Sequence, residues 1–132
     1  MRVFVNGTFD LLHRGHLELL NFAKGWGESL YVGIDSDDRV KQLKGDSRPI
    51  HSQEDRKYFL ENLKPVKEVF IFSTDEELTN LVRAISPDYM IVGSDYKNKR
   101  VIGEEYAKNL LFFNRIESYA STKIIQSIID RR

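Results

Sequence analysis

Short apolar runs alternate with amphipathic helical stretches along the whole chain, and this alternation constrains the fold more than any other feature. Arg2–Asn6 (RVFVN), Ser29–Asp35 (SLYVGID), Glu68–Phe72 (EVFIF), Asp88–Val92 (DYMIV) and Leu110–Phe113 (LLFF) are brief and rich in β-branched and aromatic residues, which predicts buried strands. Between the first two, Leu17, Leu20 and Ala23 recur at helical spacing over Gly15–Lys24, and Gly25 and Gly27 end that stretch. Ser36-Asp37-Asp38 reads as a helix start with Val40 and Leu43 facing inward. Glu54–Leu63 reads as a helix capped by Ser52, and Asp75–Ile85 as one stopped by Pro87. Gly103–Lys108 reads as a short helix, and Ser121–Arg131 as a last one with Ile124, Ile125, Ile128 and Ile129 on its apolar side. The pattern predicts one doubly wound α/β domain over residues 1–132, with a five-stranded parallel sheet covered on both faces. Ligands of such sheets bind beyond the carboxyl ends of the strands. The loops Asn6–Gly15, Ser36–Ile50, Gly93–Arg100 and Arg115–Thr122 fall at that edge.

Composition narrows the function classes. Lys plus Arg and Asp plus Glu are 20 each, so the net charge is zero with neutral His, which argues against nucleic-acid binding through bulk charge. The 132 residues contain no cysteine, so disulfides, thiolate metal sites and Cys nucleophiles are excluded. The chain opens on a strand with no signal-peptide pattern, and no apolar run approaches membrane-spanning length. A cytosolic protein without membrane insertion is the expectation.

The chemistry concentrates in NGTFDLLHRGHLELL, Asn6 to Leu20. A helix N-terminus offers unpaired N–H groups and the positive end of a dipole, and phosphate binds there readily. His13 and His16 in the first turn add donors for the same anion, and Gly15 lets a phosphate approach the backbone. A single His at such a place reads as a cap or a buried hydrogen-bonding group. Two, with Gly between them and GTFD ahead, point to a polyphosphate.

GTFDLLHRGH resembles the signature of the cytidylyltransferase-like nucleotidyltransferases, whose defining element is His-x-Gly-His. The resemblance covers essentially the whole chain. LKGDSRPI (Leu43–Ile50) is similar to a segment of the heptose 1-phosphate adenylyltransferases. HSQEDRKYFLENLKPVKEVF (His51–Phe70) resembles the corresponding part of glycerol-3-phosphate cytidylyltransferases, with an Arg at Arg56. IVGSDY (Ile91–Tyr96) is similar to the segment after the fourth strand, and RIESYASTKII (Arg115–Ile125) lies over the second family signature.

The resemblance implies a Rossmann-like fold and a transferase. A substrate phosphate oxygen would attack the α-phosphorus of a nucleoside triphosphate, and pyrophosphate would leave. His13, His16, Lys44 and Arg48 would be catalytic. Gly7, Thr8, Phe9, Asp10, Gly15, His16, Gly93, Asp95, Arg115, Ser121 and Thr122 would bind the nucleotide, and Asp10, Lys44, Arg48 and Arg56 the phosphorylated substrate. Mg²⁺ would ride on the triphosphate, near Asp10. A homodimer and an acceptor supplied by a separate kinase are also implied.

Alternatives stand beside these roles. Arg56 reads equally as a partner of nearby Glu residues, Lys41 as a solvated helix face, His51 as a structural loop residue, and Trp26 as core or interface. Ser121 and Thr122 cap helices in any protein. The second signature is altered: Ser118 stands where the family has Gly, and Ala120 where it has Ser. LKGDSRPI, VGIDSDDRVK and GSDYKNKRVIGEE favour ATP and a heptose 1-phosphate. GTFDLLH, HSQEDRK and RIES favour CTP and glycerol 3-phosphate. A non-catalytic nucleotide-binding module is the reading of another class. A redox dinucleotide-binding domain lacks its Gly-x-Gly-x-x-Gly fingerprint here.

Overall fold

The computed structural model describes residues 1–94, 97–114 and 121–131, the first three of the last stretch by their backbone only. The elements run β1 (Arg2–Gly7), α1 (Arg14–Lys24), β2 (Ser29–Asp35), α2 (Asp37–Lys44), α3 (Gln53–Glu61), β3 (Glu68–Phe72), α4 (Asp75–Ile85), β4 (Tyr89–Gly93), a 3₁₀ turn (Glu104–Tyr106), β5 (Asn109–Phe113) and α5 (Ser121–Asp130). The five strands form one sheet in the order β3-β2-β1-β4-β5, with every neighbouring pair parallel.

Period-two alternation assigns each central strand to two cores at once. On one face, Val3, Val5, Val32, Ile34 and Ile91 pack with Leu20 and Ala23 of α1 and Leu60 of α3. On the other, Phe4, Phe72 and Met90 pack with Leu78, Val82 and Ile85 of α4. Val3, Phe4 and Val5 are therefore all fully buried, which is why β1 reads as a continuous apolar run. Helices start where a side chain can accept from an orphan N–H. Ser36 accepts from the Arg39 amide, Ser52 from Asp55 and Thr74 from Glu77.

Three expectations shift, the first being Leu43, which is exposed while Val40 alone of α2 is buried. Gly103–Lys108 is a single 3₁₀ turn rather than a longer helix. Gly103 sits at φ 87°, where a Cβ would come 2.8 Å from Val82 Cγ2, and the chain is already extended at Ala107 to enter β5. Lys44 closes the last turn of α2 instead of lying in the loop, because the Gly45 amide still bonds back to the Lys41 carbonyl.

The sheet order reverses at β1. Chain progress goes through β2 to β3 on one side and through β4 to β5 on the other, so the loops leaving β1 and β4 diverge at a topological switch point, the usual ligand crevice of such sheets. Leu20→Ala, which empties the buried side of α1, is expected to lower the unfolding free energy by about 2–5 kcal/mol. Urea denaturation measures this.

Candidate active site

The first site loop is held against its own preference. Phe9 and Leu11 have φ of 53° and 50°, a left-handed conformation that costs non-glycine residues of order 1–3 kcal/mol each. Tertiary contacts over-determine it. Phe9 is buried, and a Cβ on Gly7 would come 3.1 Å from its ring, so a larger residue there would press the ring by a few tenths of an ångström. Thr8 Oγ1 donates to Asp35 Oδ2 at 3.2 Å. Asp10 is 2 % exposed, and its carboxylate accepts from the Ile50 amide at 2.7 Å and the His51 amide at 2.9 Å.

The loop delivers His13 as the N-cap of α1, one position before the helix and not within its first turn. His13 Nδ1 accepts from the Gly15 amide at 3.1 Å, and His16 Nδ1 accepts from the His13 amide at 3.2 Å. This is a reciprocal capping box built from two imidazoles where Ser and Glu usually stand. The two rings stack with centroids 3.8 Å apart, and Phe9 lies 5.3 Å from the second. An Nδ1 that accepts from an amide carries a lone pair, so the ring proton sits on Nε2. The cap thus makes the Nε2–H of each ring a donor, at a helix end that already favours anions. Gly15, in the same first turn, is half-buried.

The loop Gly45–His51 closes over Asp10. Arg48 lies mostly buried with Nε 3.8 Å from Asp10 Oδ2, and among the described residues that Nε has no hydrogen-bond partner. A buried guanidinium nitrogen left this way is a donor waiting for an acceptor. Lys44, at the end of α2, is exposed on the approach to the same loop.

Arg56 stands elsewhere than expected. It is fully buried, and its donors go to the carbonyls of His51, Thr8 and Asp35 and to Asp37 Oδ1, at 2.8–3.1 Å. The structure places it beneath the loops, and its acidic partner is Asp37 rather than a nearby Glu. His51 serves through its backbone, as a structural loop residue does.

Neighbouring polar residues complete the floor. Arg39 Nε binds Asp35 Oδ1 at 2.9 Å, and its Nη2 binds Asp75 Oδ1 at 2.7 Å. Burial works against the Arg39 charge, but the bonds from Asp75 and Asp35 outweigh it and hold its pKa above the ordinary value. Ser73 Oγ donates to Ser36 Oγ at 2.9 Å. Sequence reasoning passed over Asp35 and Asp37 as site supports. The only sign was an unusual run of acids directly after an apolar strand.

Gly93 ends β4 beside the crevice, and the backbones of Ser121 and Thr122 open α5. Asp95, Arg115 and the altered positions Ser118 and Ala120 lie outside the described residues. Among the described residues, no helix is long and apolar enough to cross a membrane.

The family model described as cytidylyltransferase-like matches residues 4–127. The bifunctional protein HldE of Helicobacter pylori strain P12 is 46% identical over 126 residues, covering 96% of this chain and 27% of that protein. HldE of Helicobacter hepaticus is 45% identical over 96% of this chain and 26% of its own length, so the chain spans about a quarter of these curated relatives. A lipopolysaccharide core biosynthesis protein from Thermoplasma volcanium has the same fold, with a TM-score of 0.70 at 22% identity, over 86% of this chain and 97% of that one. Capped imidazoles at the switch point of a 3-2-1-4-5 parallel sheet, and a family model that spans nearly the whole chain, lead to one assignment: this protein belongs to the cytidylyltransferase-like nucleotidyltransferase family.

Proposed function

We propose that this chain transfers the nucleoside monophosphate of ATP to a sugar 1-phosphate of the D-glycero-D-manno-heptose type, forming an ADP-sugar and pyrophosphate. The observation that carries the reading is the capping box: it turns both imidazoles into Nε2–H donors at a helix N-terminus, and the neighbouring loop adds Arg48, whose Nε makes no hydrogen bond among the described residues. Donors of this kind suit a transition state whose charge grows on phosphate oxygens.

The step needs little covalent help. An oxygen of the sugar phosphate forms a bond to the α-phosphorus, the bond from that phosphorus to the bridging oxygen of the β-phosphate breaks, and pyrophosphate leaves with the electron pair. A phosphate monoester is largely dianionic at neutral pH, its second pKa being about 6, so no general base is required. His13 and His16 would stabilise the α-phosphate, Arg48 and Lys44 would hold the acceptor phosphate, and the first turns of α1 and α5 would meet the triphosphate. Mg²⁺, when bound, supplies charge neutralisation on the triphosphate. The donor set suits an ion carried by the nucleotide, since both Asp10 oxygens already accept from backbone amides.

The resemblance of Leu43–Ile50 to the heptose-phosphate enzymes supports ATP and the sugar phosphate. The resemblance of His51–Phe70 supports CTP and glycerol 3-phosphate as the second reading. A homodimer belongs to the same proposal, supported by the exposed Tyr58 and Phe59 on α3 and Ile128 and Ile129 on α5, and sedimentation measures it.

Pyrophosphate release with Mg²⁺, crossing ATP and CTP against heptose 1-phosphate and glycerol 3-phosphate, tests the assignment. Turnover with ATP and the heptose is expected. Turnover with CTP and glycerol 3-phosphate alone replaces it with the second reading. Triphosphate binding without turnover in any combination replaces it with a non-catalytic module. Within the active pair, His13→Asn retains a capping oxygen for the Gly15 amide, so its melting temperature stays near that of the parent while kcat falls by about 10²–10³-fold. His13→Ala loses the cap as well and is also destabilised, by about 0.5–2 kcal/mol. Arg48→Ala, which removes a charge-assisted bond of about 1.5–3 kcal/mol, raises the KM of the acceptor phosphate by roughly 10–100-fold at that energy. Steady-state kinetics against each substrate separates the two effects.

A further inference from the structure

The four bonds of Arg56 reach three segments: the loop after β1, the junction of β2 and α2, and the loop ahead of α3. Nε donates to His51 O at 3.1 Å; Nη1 to Thr8 O at 2.9 Å and Asp35 O at 2.8 Å; Nη2 to Asp37 Oδ1 at 2.8 Å. Two of those segments are joined again by Asp10, whose carboxylate accepts from the amides of Ile50 and His51. The result is a closed ring: from the guanidinium to Thr8, along the chain to Asp10, across to His51, and back to the guanidinium. His13 follows Asp10 by three residues, and Arg48 precedes Ile50 by two. Both thus stand within three residues of the ring's anchor points, and Arg48 Nε lies 3.8 Å from Asp10 Oδ2.

We propose that Arg56 is the positioning residue of this site: without touching either substrate, it sets the spacing between the loop that carries the His pair and the loop that carries Arg48. The kinetic half of the inference rests on the transfer reaction proposed above; the structural half does not. Guanidinium geometry is what the ring requires. A lysine keeps the charge opposite Asp37 but presents one nitrogen, which cannot serve His51, Thr8, Asp35 and Asp37 from the fixed directions of a planar fork.

Arg56→Lys tests geometry at constant charge. Its kcat is expected to fall about 100-fold, the scale of loss that a misplacement of about 1 Å produces, with KM for both substrates nearly unchanged. Amide hydrogen exchange at Ile50 and His51 is expected to accelerate, while exchange at Val5 and Val32 in the sheet stays at the parent rate. Arg56→Ala, which leaves a guanidinium-shaped gap, is expected to regain turnover when guanidinium ion is added below unfolding concentrations. An acceptor KM that rises while kcat holds would make Arg56 a ligand and overturn the inference. So would parent rates of exchange at Ile50 and His51. Should Arg56→Lys fail to fold, Asp37→Ala removes the partly exposed anchor of Nη2, and the same two amides decide the outcome. A parent protein silent with every substrate pair overturns the proposed reaction instead, and the exchange measurement still judges the ring.

Discussion

A buried guanidinium is the constraint on which the functional edge of this protein depends. Taking a charge out of water costs several kcal/mol even after relaxation, and Arg56 has no exposed surface at all. The cost is offset because the chain offers what the charge needs. The carbonyls of Thr8, Asp35 and His51 lie at strand ends and in a loop, where backbone acceptors must find partners outside the ladder, and Asp37 adds an opposite charge at 2.8 Å. One side chain thereby satisfies three backbone acceptors and joins segments far apart in sequence. Asp10 does the converse job as a buried acceptor of two amides. Between them, the loop after β1 is held in a conformation that leaves Phe9 and Leu11 at positive φ, a local penalty that only surrounding contacts sustain.

The same economy governs the His pair. Helix α1 must cap its first N–H groups, and it does so with imidazoles whose Nδ1 atoms accept. Structural and chemical demands coincide in one tautomer, because the bond that closes the helix leaves the proton on the outer nitrogen of each ring. A hydroxyl at the cap would stop the helix as well, but it would offer no second donor displaced across a ring. Stacking at 3.8 Å and the contact with Phe9 hold both rings in register.

Placement of the site follows from strand order rather than from any one residue. β1 is central and buried on both faces, so its carboxyl end opens where connections depart to opposite sides of the sheet. The chain that emerges there meets the start of α1, the ends of β2 and β4, and the loop ahead of α3 within one crevice.

Much of this was legible in the sequence. Apolar runs with period-two burial and helices with caps are local consequences of backbone geometry, so Ser29–Asp35, Glu68–Phe72 and Asp75–Ile85 appear in the structure with the predicted bounds. His13, Gly15 and His16 stood out because their spacing matches a helix start, and the family was visible in motifs at both ends of the chain. Long-range pairing was not legible. Arg56 sits 48 residues from Thr8, and the Asp10 bonds span 40 and 41; no periodicity encodes such partners. Nor did the sequence reveal that Gly103 abuts Val82 and reduces a predicted helix to one turn. By itself the sequence determined which segments are strands and helices and which residue types gather at one edge, since both depend on neighbours in the chain. Only the tertiary structure decided which charged groups face the crevice and which lie beneath it, because burial and hydrogen-bond partners are set by segments that meet solely on folding.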